Sequence, residues 1–194
     1  MTRKIIAAAL IVAGTVAMST FSGCASTSGM STHSSPGSQA PITKAEIKAA
    51  QRAWGEGIVD ISRVYAKGGD YKARALDHIK TMYAYGDTIV LFKPTLASED
   101  QFRGDIDSAL SYFIGREGTE DTGFAIKGWT NVRFENEGLY SGSDLAMAMG
   151  NYFFTDPDGS EVKVEYSFGY VRGADGKLKI MLQHSSVPYG SWEE

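Results

Sequence analysis

Apolar positions recur with a helical period in the first half of the chain and with a period of two in the second half. Ile47, Ala50, Trp54, Ile58, Ile61 and Tyr65 share one helix face. Thr43-Lys44-Ala45-Glu46 is a capping box that starts this helix, and Gly68-Gly69 stops it. Asp70 caps a second helix that carries Tyr71, Ala75, Ile79 and Met82 on one stripe and ends near Gly86. Residues 88–92 form a short β-rich run broken by Pro94. Residues 98–101 read as another capping box. Phe102, Ile106, Ala109, Leu110 and Phe113 follow on a third helical stripe, closed by Gly115.

From Thr122 onward the alternation predicts strands over residues 123–134, 145–154, 161–171 and 177–186. Asp156-Pro157-Asp158-Gly159 and Gly173-Ala174-Asp175-Gly176 are turn signals between them. Helices segregated before a meander of antiparallel strands imply the α+β class, with a curved sheet wrapped around the helices. Such a cone leaves a pocket between the concave face of the sheet and the first and third helices.

The N-terminal segment has a different pattern. Arg3 and Lys4 precede a short apolar run from Ile5 to Met18, and Phe21-Ser22-Gly23-Cys24 follows. The run is too short to span a membrane comfortably and has the pattern of a secretory signal over residues 1–23. Small residues directly before Cys24 resemble a bacterial lipobox. The implied product begins at a Cys24 that carries lipid and anchors the chain to a membrane. Ala25 after the cysteine, in place of Asp, points to the outer membrane of a Gram-negative cell envelope. Residues 24–41 are rich in Ser, Thr, Gly and Pro, so they are expected to form a flexible tether that includes His33. The folded domain is expected over residues 42–194.

With 43% hydrophobic and 22% charged residues, the composition is that of a globular chain. The single cysteine excludes an internal disulfide, a Cys-cluster zinc site and an iron–sulfur centre. A net charge of -4 argues against a nucleic-acid partner.

Candidate chemistry concentrates in the last strand. Leu178, Ile180 and Leu182 alternate with Lys177, Lys179 and Met181. Strict alternation puts His184 and Ser186 on the apolar face and turns Gln183 and Ser185 away. Two polar groups continuing an apolar face are either a pocket lining or a pair satisfied by each other and the backbone near the strand end. The face of Val162, Val164, Tyr166, Phe168 and Tyr170 reads as aromatic core, with a pocket wall as the alternative, and the same holds for Trp54 and Trp129.

Five segments, in order, resemble the ι-class carbonic anhydrases of the NTF2-like superfamily, which are related in fold to the calmodulin-kinase association domain. They are Leu91-Phe92-Lys93-Pro94-Thr95, Ser111-Tyr112-Phe113-Ile114-Gly115, Met149-Gly150-Asn151-Tyr152-Phe153-Phe154, Val164-Glu165-Tyr166-Ser167-Phe168-Gly169-Tyr170 and His184-Ser185-Ser186-Val187-Pro188-Tyr189. The resemblance covers residues 44–189. It implies an NTF2-like cone with a small pocket for carbon dioxide or bicarbonate, lined by Thr95, Tyr112, His184 and Ser186. It assigns Thr95, Tyr112 and Ser186 to holding water and bicarbonate, and His184 to proton transfer or to orienting Ser186. It also implies a homodimer formed through the sheet. Many members read His-His-Ser-Ser where this chain has Gln183-His184-Ser185-Ser186.

A hydrolytic zinc site usually needs three protein ligands and an open position. Of the three histidines, His33 falls in the tether and His78 lies on a helix beside Asp77, which leaves His184. No cofactor is therefore expected, with zinc or manganese as the alternative. A fold alone does not determine chemistry. A non-catalytic lipoprotein that binds a small anion or assembles through its sheet is the second reading of the same residues.

Overall fold

The structure is a computed structural model that describes residues 40–190. The signal segment, Cys24, the tether residues up to 39 and His33 lie outside the described residues. Helix α1 spans Lys44–Ala66, α2 Tyr71–Met82 and α3 Ile106–Ile114. The strands are β1 (Leu91–Lys93), β2 (Asn131–Ser141), β3 (Ala146–Thr155), β4 (Glu161–Arg172) and β5 (Leu178–Ser186). They form one sheet in the order β1-β5-β4-β3-β2, antiparallel except for β1, which runs parallel to β5.

The cap of α1 forms as its sequence predicts. Glu46 N–H donates to Thr43 Oγ1 at 3.2 Å, and Thr43 N–H donates to Glu46 Oε2 at 2.8 Å. Asp70 caps α2 by accepting from Ala73 N–H at 3.0 Å. This helix ends at Met82, before Gly86, because the chain turns extended at Tyr83.

Two sequence expectations are corrected. Residues 98–101 do not start a helix. The Glu120 carboxylate collects the backbone N–H groups of Ser98, Glu99 and Asp100, which holds that stretch as a loop. Helix α3 begins later, where Asp105 accepts from Ser108 N–H at 2.8 Å, and Phe102 is left 68% exposed. The strand expected over residues 123–134 begins only at Asn131 and continues to Ser141. Gly123 adopts φ 85° and opens a short 3-10 turn, Phe124–Ile126. Ser62 of α1 holds this turn by donating to Ala125 O at 2.7 Å and accepting from Trp129 N–H at 3.0 Å.

Helix α1 lies in the concave face of the sheet, and Trp54 is the centre of that contact. Its indole meets the rings of Phe134, Tyr152, Phe154 and Phe168, with centroids 5.7–6.2 Å apart. These edge-on and tilted pairs add to the burial of a fully covered Trp. Behind α1, α2 packs so closely that a Cβ at Gly57 would sit 2.1 Å from His78 Nδ1. His78 is buried there between Trp54 and Phe113, and its Nε2 has no hydrogen-bond partner.

Burial, reinforced by the nearby Arg74 guanidinium, depresses the His78 pKa to about 3. The unfolded chain takes up a proton at this residue below about pH 6.5, whereas the folded chain stays neutral. Folding stability is therefore complete above about pH 6.5 and falls by up to about 1.4 kcal/mol per pH unit as the pH drops. Urea unfolding between about pH 6.5 and 4.5, above the range where carboxylates dominate, should show this slope, and His78→Leu should flatten it.

A candidate active site in the cone

The face that β5 turns inward depends on a single residue. Along the β4–β5 ladder Tyr170 pairs with Ile180, but the next pair is Gly169 with Leu182. Met181 is an extra residue, a β-bulge, and it shifts the alternation by one. Leu178 and Ile180 face the core before the bulge, and Gln183 and Ser185 face it afterwards. A Cβ at position 169 would meet Leu182 Cβ at 3.0 Å, so the glycine gives room opposite the bulge.

This corrects the expectation for His184 and Ser186, which the bulge turns to the outer face. His184 is exposed there, and Ser186 Oγ donates to Glu165 Oε2 at 2.8 Å. Thr95 and Tyr112 are brought together with Ser185, not with the two residues named from strict alternation. The apolar run Ile180-Met181-Leu182 is the only sequence sign of the shift, because three apolar residues in a row carry no phase.

Inside the cone is a cavity of about 180 Å³. Trp54 of α1, Tyr112 and Phe113 of α3, Phe92 of β1, and Tyr152 and Phe154 of β3 wall it. Phe124, Trp129, Val162, Val164 and Val187 complete the apolar surface. Pro94, Thr95 and Leu96 form one side, after β1 ends. Thr95, Tyr112, Tyr152, Gln183 and Ser185 bring side-chain oxygen or amide groups to an otherwise greasy wall, and the exposed Lys127 brings an ammonium. The aromatic face of β4 divides between roles. Val162 and Val164 reach the cavity, while Tyr166, Phe168 and Tyr170 are core.

The wall holds its polar groups through hydrogen bonds. Trp54 Nε1 donates to Tyr83 Oη at 2.9 Å, and Tyr83 Oη donates to Gln183 Oε1 at 2.5 Å. Tyr152 Oη and Ser185 Oγ share a hydrogen bond. The Leu96 backbone N–H approaches the Tyr112 oxygen and helps hold its pKa down, so the phenol proton is left for another acceptor. Beneath Tyr112 a buried pair steadies α3. Arg103 donates to Asp121 Oδ1 at 2.7 Å, and Ser111 Oγ donates to Asp121 Oδ2 at 2.6 Å. The Arg103 guanidinium also lies 5.8 Å from the Tyr112 ring centroid.

Burial pushes the Tyr152 phenol up to about 12, against the opposing hydrogen bonds of Ser185 and Gln183, and lifts the Tyr112 and Tyr83 phenols well above the usual tyrosine range. All three are neutral O–H groups at physiological pH. Among the described residues, no three His, Cys, Asp or Glu side chains gather in a way that could hold a metal ion. The wall's hydroxyls and amide are a poor donor set for zinc or manganese.

A family model described as metal-independent carbonic anhydrase matches residues 45–187. This chain belongs to that family. It is similar to a metal-independent carbonic anhydrase from Nostoc sp., with 40% identity over 153 residues, which cover 76% of this chain and 75% of that protein. It is also similar to the crystal structure of the iota-carbonic anhydrase from a cyanobacterium complexed with bicarbonate. That similarity has a TM-score of 0.76 at 38% identity, over 81% of this chain and 99% of the other. The α+β architecture expected from the sequence, three helices packed on one mainly antiparallel sheet, is the architecture observed. Gln183, Ser185, Tyr152 and Lys127 are the lining residues that strand periodicity alone did not single out.

Proposed function

We propose that this chain catalyses the reversible hydration of carbon dioxide to bicarbonate and a proton inside the cone, without a metal ion. The observation that carries this reading is the small aromatic cavity with Thr95, Tyr112 and Ser185 hydroxyls on its wall, in a member of this family. Carbon dioxide is apolar and small, so an aromatic cavity accepts it at little cost, and a few polar groups orient it. A water oxygen attacks the carbon, and one C=O electron pair moves onto oxygen as the water proton leaves. Tyr112 and Ser185 donate to the oxygen that gains charge, and Thr95 orients the water. His184 faces away, so the proton passes to solvent or buffer rather than to an imidazole on the wall. The Lys127 ammonium draws the bicarbonate anion to the opening.

In a pH-indicator assay, Ser185→Ala and Tyr112→Phe should each lower kcat/KM by at least about tenfold, as loss of one such donor does elsewhere. His184→Ala and Ser186→Ala should stay within about twofold of the parent, and a chelator should change nothing. Loss of activity in the chelated protein, or in Ser186→Ala but not Ser185→Ala, would overturn the assignment. Inactive wild-type protein would favour an anion-binding module.

We also propose that the chain forms a homodimer through the outer face of its sheet. Tyr140, Met147, Gly169, Leu182 and Leu91 are successive cross-strand partners, so one row crosses all five strands. Tyr140, Met147 and Leu91 in that row are 57%, 44% and 52% exposed, and neighbouring Met149 is 59% exposed. A continuous apolar face of this kind is rarely left to water. Light scattering should give twice the chain mass, and Met147→Lys with Leu182→Lys should give the monomer.

Finally, we propose a lipid-anchored protein of the Gram-negative envelope, held at the outer membrane through Cys24 and the tether. Support comes from the Arg3-Lys4 start, the apolar run and the small residues before the cysteine. In a Gram-negative host the protein should fractionate with outer membranes, and Cys24→Ser should abolish the acylated N-terminus seen by mass spectrometry.

A further inference from the structure

Gln183 is buried at the cavity wall and has no part in the chemistry proposed above. Its hydrogen bonds give it one. An indole N–H can only donate, and Trp54 donates to Tyr83 Oη. The Tyr83 proton is therefore free to point away from the indole, and it goes to Gln183 Oε1. That contact identifies the two ends of the amide without reference to electron count: the oxygen faces Tyr83. Gln183 also lies against Tyr152, where its amide helps hold the phenol's pKa down, and the group left for that contact is its NH₂, which only donates. With its oxygen accepting from Gln183, Tyr152 has its own proton to give, and its hydroxyl partner is Ser185 Oγ. Ser185 then keeps its proton for the cavity that its side chain lines.

We propose that Gln183 is a positioning residue that fixes the direction of this hydrogen-bond chain, so that Ser185 offers bicarbonate an O–H and not a lone pair. This inference rests on the carbon dioxide hydration reading of the cavity. Every link runs the same way, from Trp54 through Tyr83, Gln183 and Tyr152 to Ser185. Reversal would have Tyr83 Oη accept from both the indole and the Gln183 amide, and would leave the Tyr83 proton without the Gln183 Oε1 acceptor. A hydroxyl can donate or accept, and an isolated serine would sample both. Here the choice is made before substrate arrives, which is what preorganised stabilisation of a developing oxyanion requires. Discrimination also follows. A lone pair facing the cavity would repel bicarbonate oxygens, whereas an O–H holds them.

The titratable groups packed around Gln183 are phenols: Tyr83 and Tyr152 in contact, with Tyr85, Tyr112 and Tyr166 beyond them. Lys93 and His184 are cross-strand partners on the opposite face of the sheet from Phe92 and Gln183. A titrating group placed at position 183 would therefore be the one whose charge changes near neutral pH on this wall.

The experiment is Gln183→Glu, assayed across pH as a ratio to wild type, with circular dichroism as the check of folding. An ionised carboxylate accepts from both Tyr83 and Tyr152. Tyr152 then turns its proton away from Ser185, and Ser185 must donate to Tyr152. Protonation returns one acceptor and one donor to the position. Burial raises the pKa of the introduced carboxyl into the assay range. The ratio should be at least about tenfold down at high pH and recover as pH falls. Gln183→Leu, which supplies neither donor nor acceptor, should be low at every pH; simple charge repulsion would spare it. Gln183→His, whose neutral ring has one donor and one acceptor, should exceed Gln183→Leu by at least about tenfold. A folded Gln183→Glu that matches wild type throughout, or is low to the same degree at every pH, overturns the inference alone. If Gln183→Glu does not fold, equal activity of the His and Leu variants overturns it. Inactive wild-type protein overturns the inference and the functional reading together.

Discussion

A residue on a strand can face only two ways, and the bulge at Met181 decides which way the end of β5 faces. Upstream of it Leu178 and Ile180 seal the core. Downstream of it Gln183 and Ser185 enter the cavity, and His184 and Ser186 are turned out. One inserted residue thus selects an amide and a hydroxyl as the polar groups of the wall, and removes an imidazole.

The bulge matters only because the surrounding surfaces are rigid. Trp54 serves both purposes. Its ring faces pack against aromatic side chains of β2, β3 and β4, and its N–H opens the hydrogen-bond chain that leads to Ser185. Packing and polarity are joined in one side chain, so the helix that fills the cone also orients the wall. On the other side, the Arg103–Asp121–Ser111 group is buried, and it ties the loop after β1 to α3 beneath Tyr112. Such a pair contributes little net stability but is costly to break. Here it fixes α3 beneath Tyr112, whose ring the Arg103 guanidinium also approaches.

A cavity lined by phenols and aliphatic hydroxyls performs acid–base chemistry poorly. Burial keeps Tyr83, Tyr112 and Tyr152 protonated, so they act as donors and not as bases. Catalysis in such a place draws on exclusion of bulk water, on fixed orientation and on donors already aimed at the developing charge. The direction of the hydrogen bonds then matters as much as the identity of the groups, since a hydroxyl turned the wrong way offers a lone pair to an anion.

Local physics determined much of this protein from its sequence. The capping boxes at Thr43 and the cap at Asp70, the helical stripe through Trp54 and Ile58, and the alternation over β3 and β4 each depend on neighbours within a few residues, so their elements were legible. So was the pocket side of the cone, and so were Thr95 and Tyr112, through the motifs that contain them. Where a distant group competed, local signals failed. Glu120 gathered the N–H groups of residues 98–100 and removed a helix start, and Ser62 held residues 124–129 in a turn. The face of Gln183 and Ser185 was decided by tertiary structure alone, because Ile180-Met181-Leu182 is equally apolar in either phase. Only pairing with β4, where Gly169 leaves space opposite Leu182, makes one register fit.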